Sequence, residues 1–204
     1  MTLTEIKDRV AAAAGAQSER YSRGADRPLR GYAITMTVYA GLVGAVAGLA
    51  KITGRDVPDG FPVSDVAMCA AATHKLSRLL AKDPVTSPLR APFTSYQGTQ
   101  GPAELKEEVR GQGGRKTVGE LITCPFCTSV WVATGFGTGL IYLPRTTRIA
   151  MGTLAALAGA DMLQFVHAWL DQESRLTGQW LERAAGSNRA PGPAPRHPAG
   201  PAPE

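Results

Sequence analysis

The chain has 204 residues, 44% of them hydrophobic, and a formal net charge of +5, a length that suits one domain with tails. Its three cysteines, an odd count with one tight pair, do not make a secreted disulfide framework and fit a reducing compartment. The basic residues cluster in segments set apart by apolar runs, which fits membrane topology bias, and no nucleic-acid partner is expected.

Residues 1–30 form a polar, basic leader. Thr4 is placed to cap a short helix through Ile6 and Val10, and Tyr21 to Arg30 reads as a loop ending at a membrane entry. No cleavable signal is expected, because the first apolar run starts only at Gly31, behind this charged leader. Gly31 to Ala50 is a run of twenty residues without a charge. A bilayer core of about 30 Å needs about 20 helical residues, so a spanning helix over about 31–52 is predicted. Gly44 and Gly48 make a GxxxG step there, a face that a second helix or a second copy of the chain can approach closely.

A second helix is predicted over 62–82, with Ser64 or Asp65 as its N-terminal cap. Its apolar part is short, and His74, Lys75 and Arg78 follow it, so it either spans with its basic side chains reaching an interface or packs half-buried on the others. The stretch from Asp83 to Thr117 is rich in proline and polar residues, with a short charged helix expected from Pro102 to Arg110. Gly113-Gly114-Arg115-Lys116-Thr117 misses the spacing of a phosphate loop. Residues 118–143 form a third apolar segment, with Cys124-Pro125-Phe126-Cys127 near its start, and Gly135 and Gly139 as a second GxxxG step. After a basic turn, 148–170 form a fourth, carrying Asp161 and His167. Trp131 and Trp169 read as interfacial or packing aromatics. A polar helical extension is expected over 171–185, and the Pro/Ala-rich tail from Gly186 is expected to be disordered.

The predicted fold is thus an all-α polytopic membrane bundle of three to four transmembrane helices. The leader and the loop from Lys82 to Lys116 each carry six Lys/Arg, whereas the turns after the first and third helices carry two each. With four helices both termini share the basic face, which the positive-inside rule places in the cytoplasm, so a multi-pass protein of the cell membrane is expected.

Three groups are candidate sites. Cys124 and Cys127 are spaced to bring both sulfurs together at a helix start; this fits packing without a cofactor, two thiolate ligands for zinc, or redox chemistry. Zinc would need further ligands, and Cys69 and His74 are the donors within the chain. The glutaredoxin-like spelling lacks the strand that such a fold places before its motif. Asp161 would cost about 2.5–3.5 kcal/mol if left alone in the bilayer, so it is expected to pair with the face shared by His74 and Arg78; an ion relay is the alternative. Asp83 and Arg90, in the proline-rich loop, form either a rigid connector or, with the cysteines, a small cytoplasmic site.

Three stretches together resemble the bacterial domain of unknown function 1360 family. They are Ala72-Thr73-His74-Lys75-Leu76-Ser77-Arg78-Leu79, Asp83-Pro84-Val85-Thr86-Ser87-Pro88-Leu89-Arg90-Ala91-Pro92-Phe93 and Gly119-Glu120-Leu121-Ile122-Thr123-Cys124-Pro125-Phe126-Cys127-Thr128-Ser129-Val130-Trp131. The resemblance covers roughly Val63 to Leu170 and implies bacterial origin and a compact helical membrane domain, with no activity attached. The leading expectation is a non-enzymatic structural or interaction role, with the lipid bilayer and a homo-oligomer as partners. A thiol redox or metal-binding protein acting through Cys124 and Cys127 is the alternative, and a small transporter or pore-former the third. No triad, phosphate loop or paired carboxylates point to a named reaction.

Overall fold

The computed structural model describes residues 2–25, 27–101 and 103–187. The described residues form seven helices and one hairpin: α1 Leu3–Ser22, α2 Leu29–Ile52, α3 Val63–Lys82, a 3-10 turn at Pro84–Thr86, α4 Ser87–Arg90, β1 Thr94–Gly101, β2 Glu104–Val109, α5 Gly114–Thr123, α6 Pro125–Tyr142 and α7 Pro144–Ser187. The chain divides into two units, Met1–Ala158 and Gly159–Glu204.

α1 is longer than its sequence suggests. Thr2, not Thr4, caps it: the Thr2 hydroxyl accepts from the Glu5 amide at 3.3 Å, and the Glu5 carboxylate accepts from the Thr2 amide at 2.7 Å. The helix runs on through Tyr21 and ends where Arg23 (φ 47°) and Gly24 (φ 84°) turn left-handed.

Three helices set the frame of the first unit. α2 and α6 run in the same direction. Near their starts, Tyr32 of α2 donates to Glu120 of α5, which leads into α6. Midway, the Tyr39 and Trp131 rings meet edge to face at 5.3 Å, and the Tyr39 hydroxyl bonds Thr134 at 2.7 Å. Near their ends, the Tyr142 hydroxyl donates to the Val46 carbonyl at 3.0 Å. α3 runs the opposite way. Its first turn holds Asp65, which is paired with Arg148 just beyond the end of α6. Its last turns hold Arg78, tied to Glu104 of the hairpin that packs on α5, and Leu80, whose carbonyl accepts from Arg90 of α4. The buried positions of α3 are Asp65, Ala72, Ser77 and Ala81, and α3 packs on α6.

The hairpin corrects the all-α expectation. Within the segment read as a charged helix over 102–110, Glu104–Val109 form an antiparallel strand, β2, paired from Thr94↔Val109 to Gly101↔Glu104. Along β2, Leu105, Glu107 and Val109 are half-buried, while Lys106 and Glu108 are exposed. That is a strand's period of two, with a glutamate standing at a core-facing position.

The third apolar segment is also not one helix. α5 and α6 meet at Cys124 with a bend of 80°. Two helices, Leu29–Ile52 and Pro144–Leu181, are long and apolar enough to cross a membrane, and the bent pair α5–α6 makes a third if it counts as one span. By length and composition the expected three to four spans therefore reduce to two or three. α3 is not among them, because Asp65, His74, Lys75, Arg78 and Lys82 interrupt it.

The second unit contains the remainder of α7. The helix does not stop at the end of its apolar stretch: it continues through Ser187, with Arg175 pairing Asp171 one turn away at 3.0 Å and Arg183 stacked 5.9 Å from the Trp180 ring. The tail expected to be disordered lies, beyond Ser187, outside the described residues.

Candidate functional site

The polar end of the first unit is built around Arg90. Its side chain is 1% exposed. Nε donates to Glu107 Oε2 at 2.5 Å, Nη1 to the Leu80 carbonyl at 2.8 Å and to Thr86 Oγ1 at 2.7 Å, and Nη2 to the Asp83 carbonyl at 3.0 Å. Glu107 is 6% exposed and also accepts from Thr94 Oγ1 at 3.4 Å. A buried guanidinium is tolerated only when its charge is balanced and its donors are used, and both conditions hold here. The expected neighbours Asp83 and Arg90 do come together, but through the backbone of Asp83. The Asp83 carboxylate instead caps the 3-10 turn, accepting from the Val85 amide at 2.8 Å.

The remaining loop is held to the same frame. Arg110 reaches the Ala91 carbonyl at 2.6 Å and Arg115 the Pro92 carbonyl at 3.1 Å. Gly119 of α5 lies so close to the hairpin that a Cβ there would meet Val109 Cγ1 at 2.5 Å and the Phe93 carbonyl oxygen at 3.2 Å.

α5 carries Glu120 toward α2 and delivers the chain to the cysteines. Cys124 is the extended residue between two helices (φ −98°, ψ 107°), and Pro125 opens α6. Proline suits that position because its missing N–H would have had no helical partner. The Cys124 sulfur accepts from the Cys127 amide at 3.3 Å and from the Cys127 thiol at 2.7 Å. Thr128 stitches the break, its hydroxyl donating to the Leu121 carbonyl at 3.0 Å and the Cys124 carbonyl at 3.1 Å. Cys124 is half-buried, and Cys127 and Phe126 are exposed. All three cysteines are free thiols. Cys69 lies 3.8 Å from Thr73 Oγ1 and lines an apolar cavity of about 370 Å³ between α3 and α6, together with Asp65, Ala133 and Gly137. Among the described residues no group of three or more His, Cys, Asp or Glu side chains is arranged to hold a metal ion. Zinc on Cys124 and Cys127 would thus need its other ligands from elsewhere, since a structural site takes four.

The other expected pair is distributed differently. Arg78 donates to Glu104 of β2. His74 is exposed, and its carbonyl accepts from Ser77 at 3.1 Å. Asp161 belongs to the second unit. The carboxylate that meets an arginine in the first unit is Asp65. Arg148 grips it through Nε, at 3.0 and 3.1 Å from its two oxygens, and through Nη2 at 2.7 Å. The sequence offers Ser64 or Asp65 as the cap of this helix, yet Pro62 occupies that position and makes no side-chain cap. The pair joins an acidic residue in the first turn of α3 to a basic residue 83 positions later, just after α6, and no local pattern in the sequence marks it.

Comparison with known proteins adds a family. A family model described as protein of unknown function (DUF1360) matches residues 68–167. The chain is 30% identical over 112 residues to the sporulation protein YjcA of Bacillus subtilis (strain 168), covering 52% of this chain and 94% of that relative. It is 29% identical over 104 residues to the UPF0713 protein YngL of the same organism, covering 47% of this chain and 72% of that protein. No solved structure matches.

Proposed function

The chain belongs to the DUF1360 family, and from that premise we propose that it is a multi-pass protein of the cell membrane with a structural or interaction role rather than an enzymatic one. The observation that carries this reading is the direction of the helices. α3 runs opposite to both α2 and α6, fastened at its first turn by Asp65–Arg148 and at its last by Arg78–Glu104 and the bonds of Arg90. An antiparallel return of this kind brings Thr53–Pro62 and Leu143–Arg148 to one end and α4, the hairpin and α5 to the other. In this reading α3 is a fourth crossing, shielded by α6, and its charges lie where the packing or an interface can accept them.

Lipid is the first partner. Only 6% of the apolar window of α2, and 6% of that of α7, is buried within the chain, and apolar helix faces of this length are accommodated by a bilayer. A second copy is the other partner, since nothing within 4 Å would meet a Cβ added at Gly44 or Gly48. The hairpin lies within the basic loop from Lys82 to Lys116, and in this reading the positive-inside rule favours a cytoplasmic side for that end and for both termini.

Reporter fusions test the arrangement. A fusion at Gly60 is expected to report from outside the cell and a fusion within the Gly111–Gly114 turn from the cytoplasm. A cytoplasmic signal at Gly60 removes the fourth crossing and, with it, the shared side of the termini.

A further inference from the structure

We propose that Cys124 and Cys127 form an exchanging dithiol that reacts with a disulfide, with Cys124 as the attacking sulfur and Cys127 as the resolving one. The proposal rests on the cysteine geometry and stands whether or not α3 crosses the membrane.

The two sulfurs are not equivalent. Cys124 Sγ accepts two hydrogen bonds, from the Cys127 amide at 3.3 Å and from the Cys127 thiol at 2.7 Å. Cys127 Sγ is the donor in the second of these. Negative charge that develops on Cys124 during attack therefore meets two donors already in place, at the start of an 18-residue helix whose free amides favour anions. Cys127 holds its proton until the second step. The spacing suits closure as well: residues three apart in a first helical turn have Cα atoms within the roughly 4.4–6.8 Å that a disulfide spans. Access is open on the side of Cys127, and Phe126 beside it is 85% exposed.

The steps balance as follows. Cys124 sulfur, as thiolate, attacks one sulfur of a disulfide R–S–S–R′; the Cys124–S–S–R bond forms and R′S⁻ leaves. Cys127 gives up its proton, which the leaving thiolate takes. Its sulfur then attacks Cys124 Sγ, forming the Cys124–Cys127 bond and expelling RS⁻, which takes up from water the proton that Cys124 released on ionising. Two protein thiols are oxidised by two electrons in all, and the partner disulfide is reduced to two thiols. A dithiol donor runs the same steps backwards and restores the free pair. The substrate class is accordingly a disulfide or dithiol, either small or carried on a protein.

A pair that serves only to pack the α5–α6 break gives a different result in the same test. The full-length protein in lipid vesicles is treated with oxidised glutathione and followed by mass spectrometry under acid quench. Wild type is expected to form the internal Cys124–Cys127 disulfide with no lasting adduct. Cys127→Ser, which keeps a hydroxyl donor, is expected to accumulate a glutathione mixed disulfide at Cys124. Cys124→Ser is expected to react at least about tenfold more slowly at Cys127, the factor one hydrogen bond to a charged group contributes. Equal rates in the two variants, or a faster Cys124→Ser, overturn the assignment of roles. Wild type that keeps both thiols free, or that arrives with the pair occupied by zinc and unreactive, overturns the proposal itself, and neither reading depends on how the variants fold.

Discussion

Replacing Arg90 should detach the hairpin from the helices. In Arg90→Ala the Glu107 carboxylate stays 6% exposed and loses its counter-charge, while the Leu80 and Asp83 carbonyls lose the donors supplied by Arg90. Removing one partner of a buried ion pair costs about 3–5 kcal/mol, because the charge left behind remains in a poor solvent. The loss should be local, since Arg90 links the end of α3, α4 and β2. At about 1.36 kcal/mol per factor of ten, the protected amides of Thr94–Val109 should exchange about two to four orders of magnitude faster. The assay is hydrogen–deuterium exchange with peptide mass analysis, on the full chain in lipid nanodiscs. Glu107→Gln keeps an acceptor for Nε and should fall between wild type and Arg90→Ala. Arg90→Met combined with Glu107→Leu should recover part of the loss, because no buried charge is then left unpaired. Hairpin exchange within threefold of wild type in Arg90→Ala would refute the argument that this arginine holds the hairpin in place.

Two further outcomes follow from close contacts in the first unit. Exchanging the partners, with Asp65→Arg and Arg148→Asp together, should restore folded yield that each single change lowers, measured by size-exclusion profile in mild detergent; a double variant no better than the worse single one would show that the pair is not what fastens α3. Gly119→Ala should destabilise by about 1–3 kcal/mol, because its Cβ would sit 2.5 Å from Val109 Cγ1 and 3.2 Å from the Phe93 carbonyl, and Val109→Ala should relieve most of that in thermal unfolding; equal losses in the single and double variants would count against the clash.

α2 was legible because twenty uncharged residues admit little else, and its observed span extends the predicted one by only two residues at the start. The hairpin was not legible because Glu104, Lys106, Glu107 and Glu108 read as the solvated face of a helix. Only the partner Arg90, fourteen or more residues upstream of all of them, makes a core-facing glutamate in β2 reasonable. The break at Cys124 was hidden for another reason. Hydropathy sums over α5 and α6 alike and is blind to one extended residue ahead of a proline, although Pro125 was correctly placed in a first turn. The length of α7 shows the same limit: its apolar stretch ends near Leu170, but i,i+4 pairs such as Asp171–Arg175 carry the helix onward without hydrophobic residues. At the candidate site, the pairing of the two cysteines was readable from spacing alone. That Cys124 accepts while Cys127 donates required the geometry of the turn, and so did the finding that Arg90 reaches the backbone of Asp83 and not its carboxylate.

The Asp65–Arg148 clamp joins residues 83 positions apart. During synthesis the first turn of α3 emerges long before its counter-ion exists, and α6, against which α3 packs, is also still unmade. α3 therefore cannot complete its packing until the chain has been made past Arg148. A chain cut short after Tyr142 would contain every residue of α2, α3 and α6 and still lack the charge that settles α3. The order of assembly is written into that one ion pair: the third helix to be made is among the last to be seated.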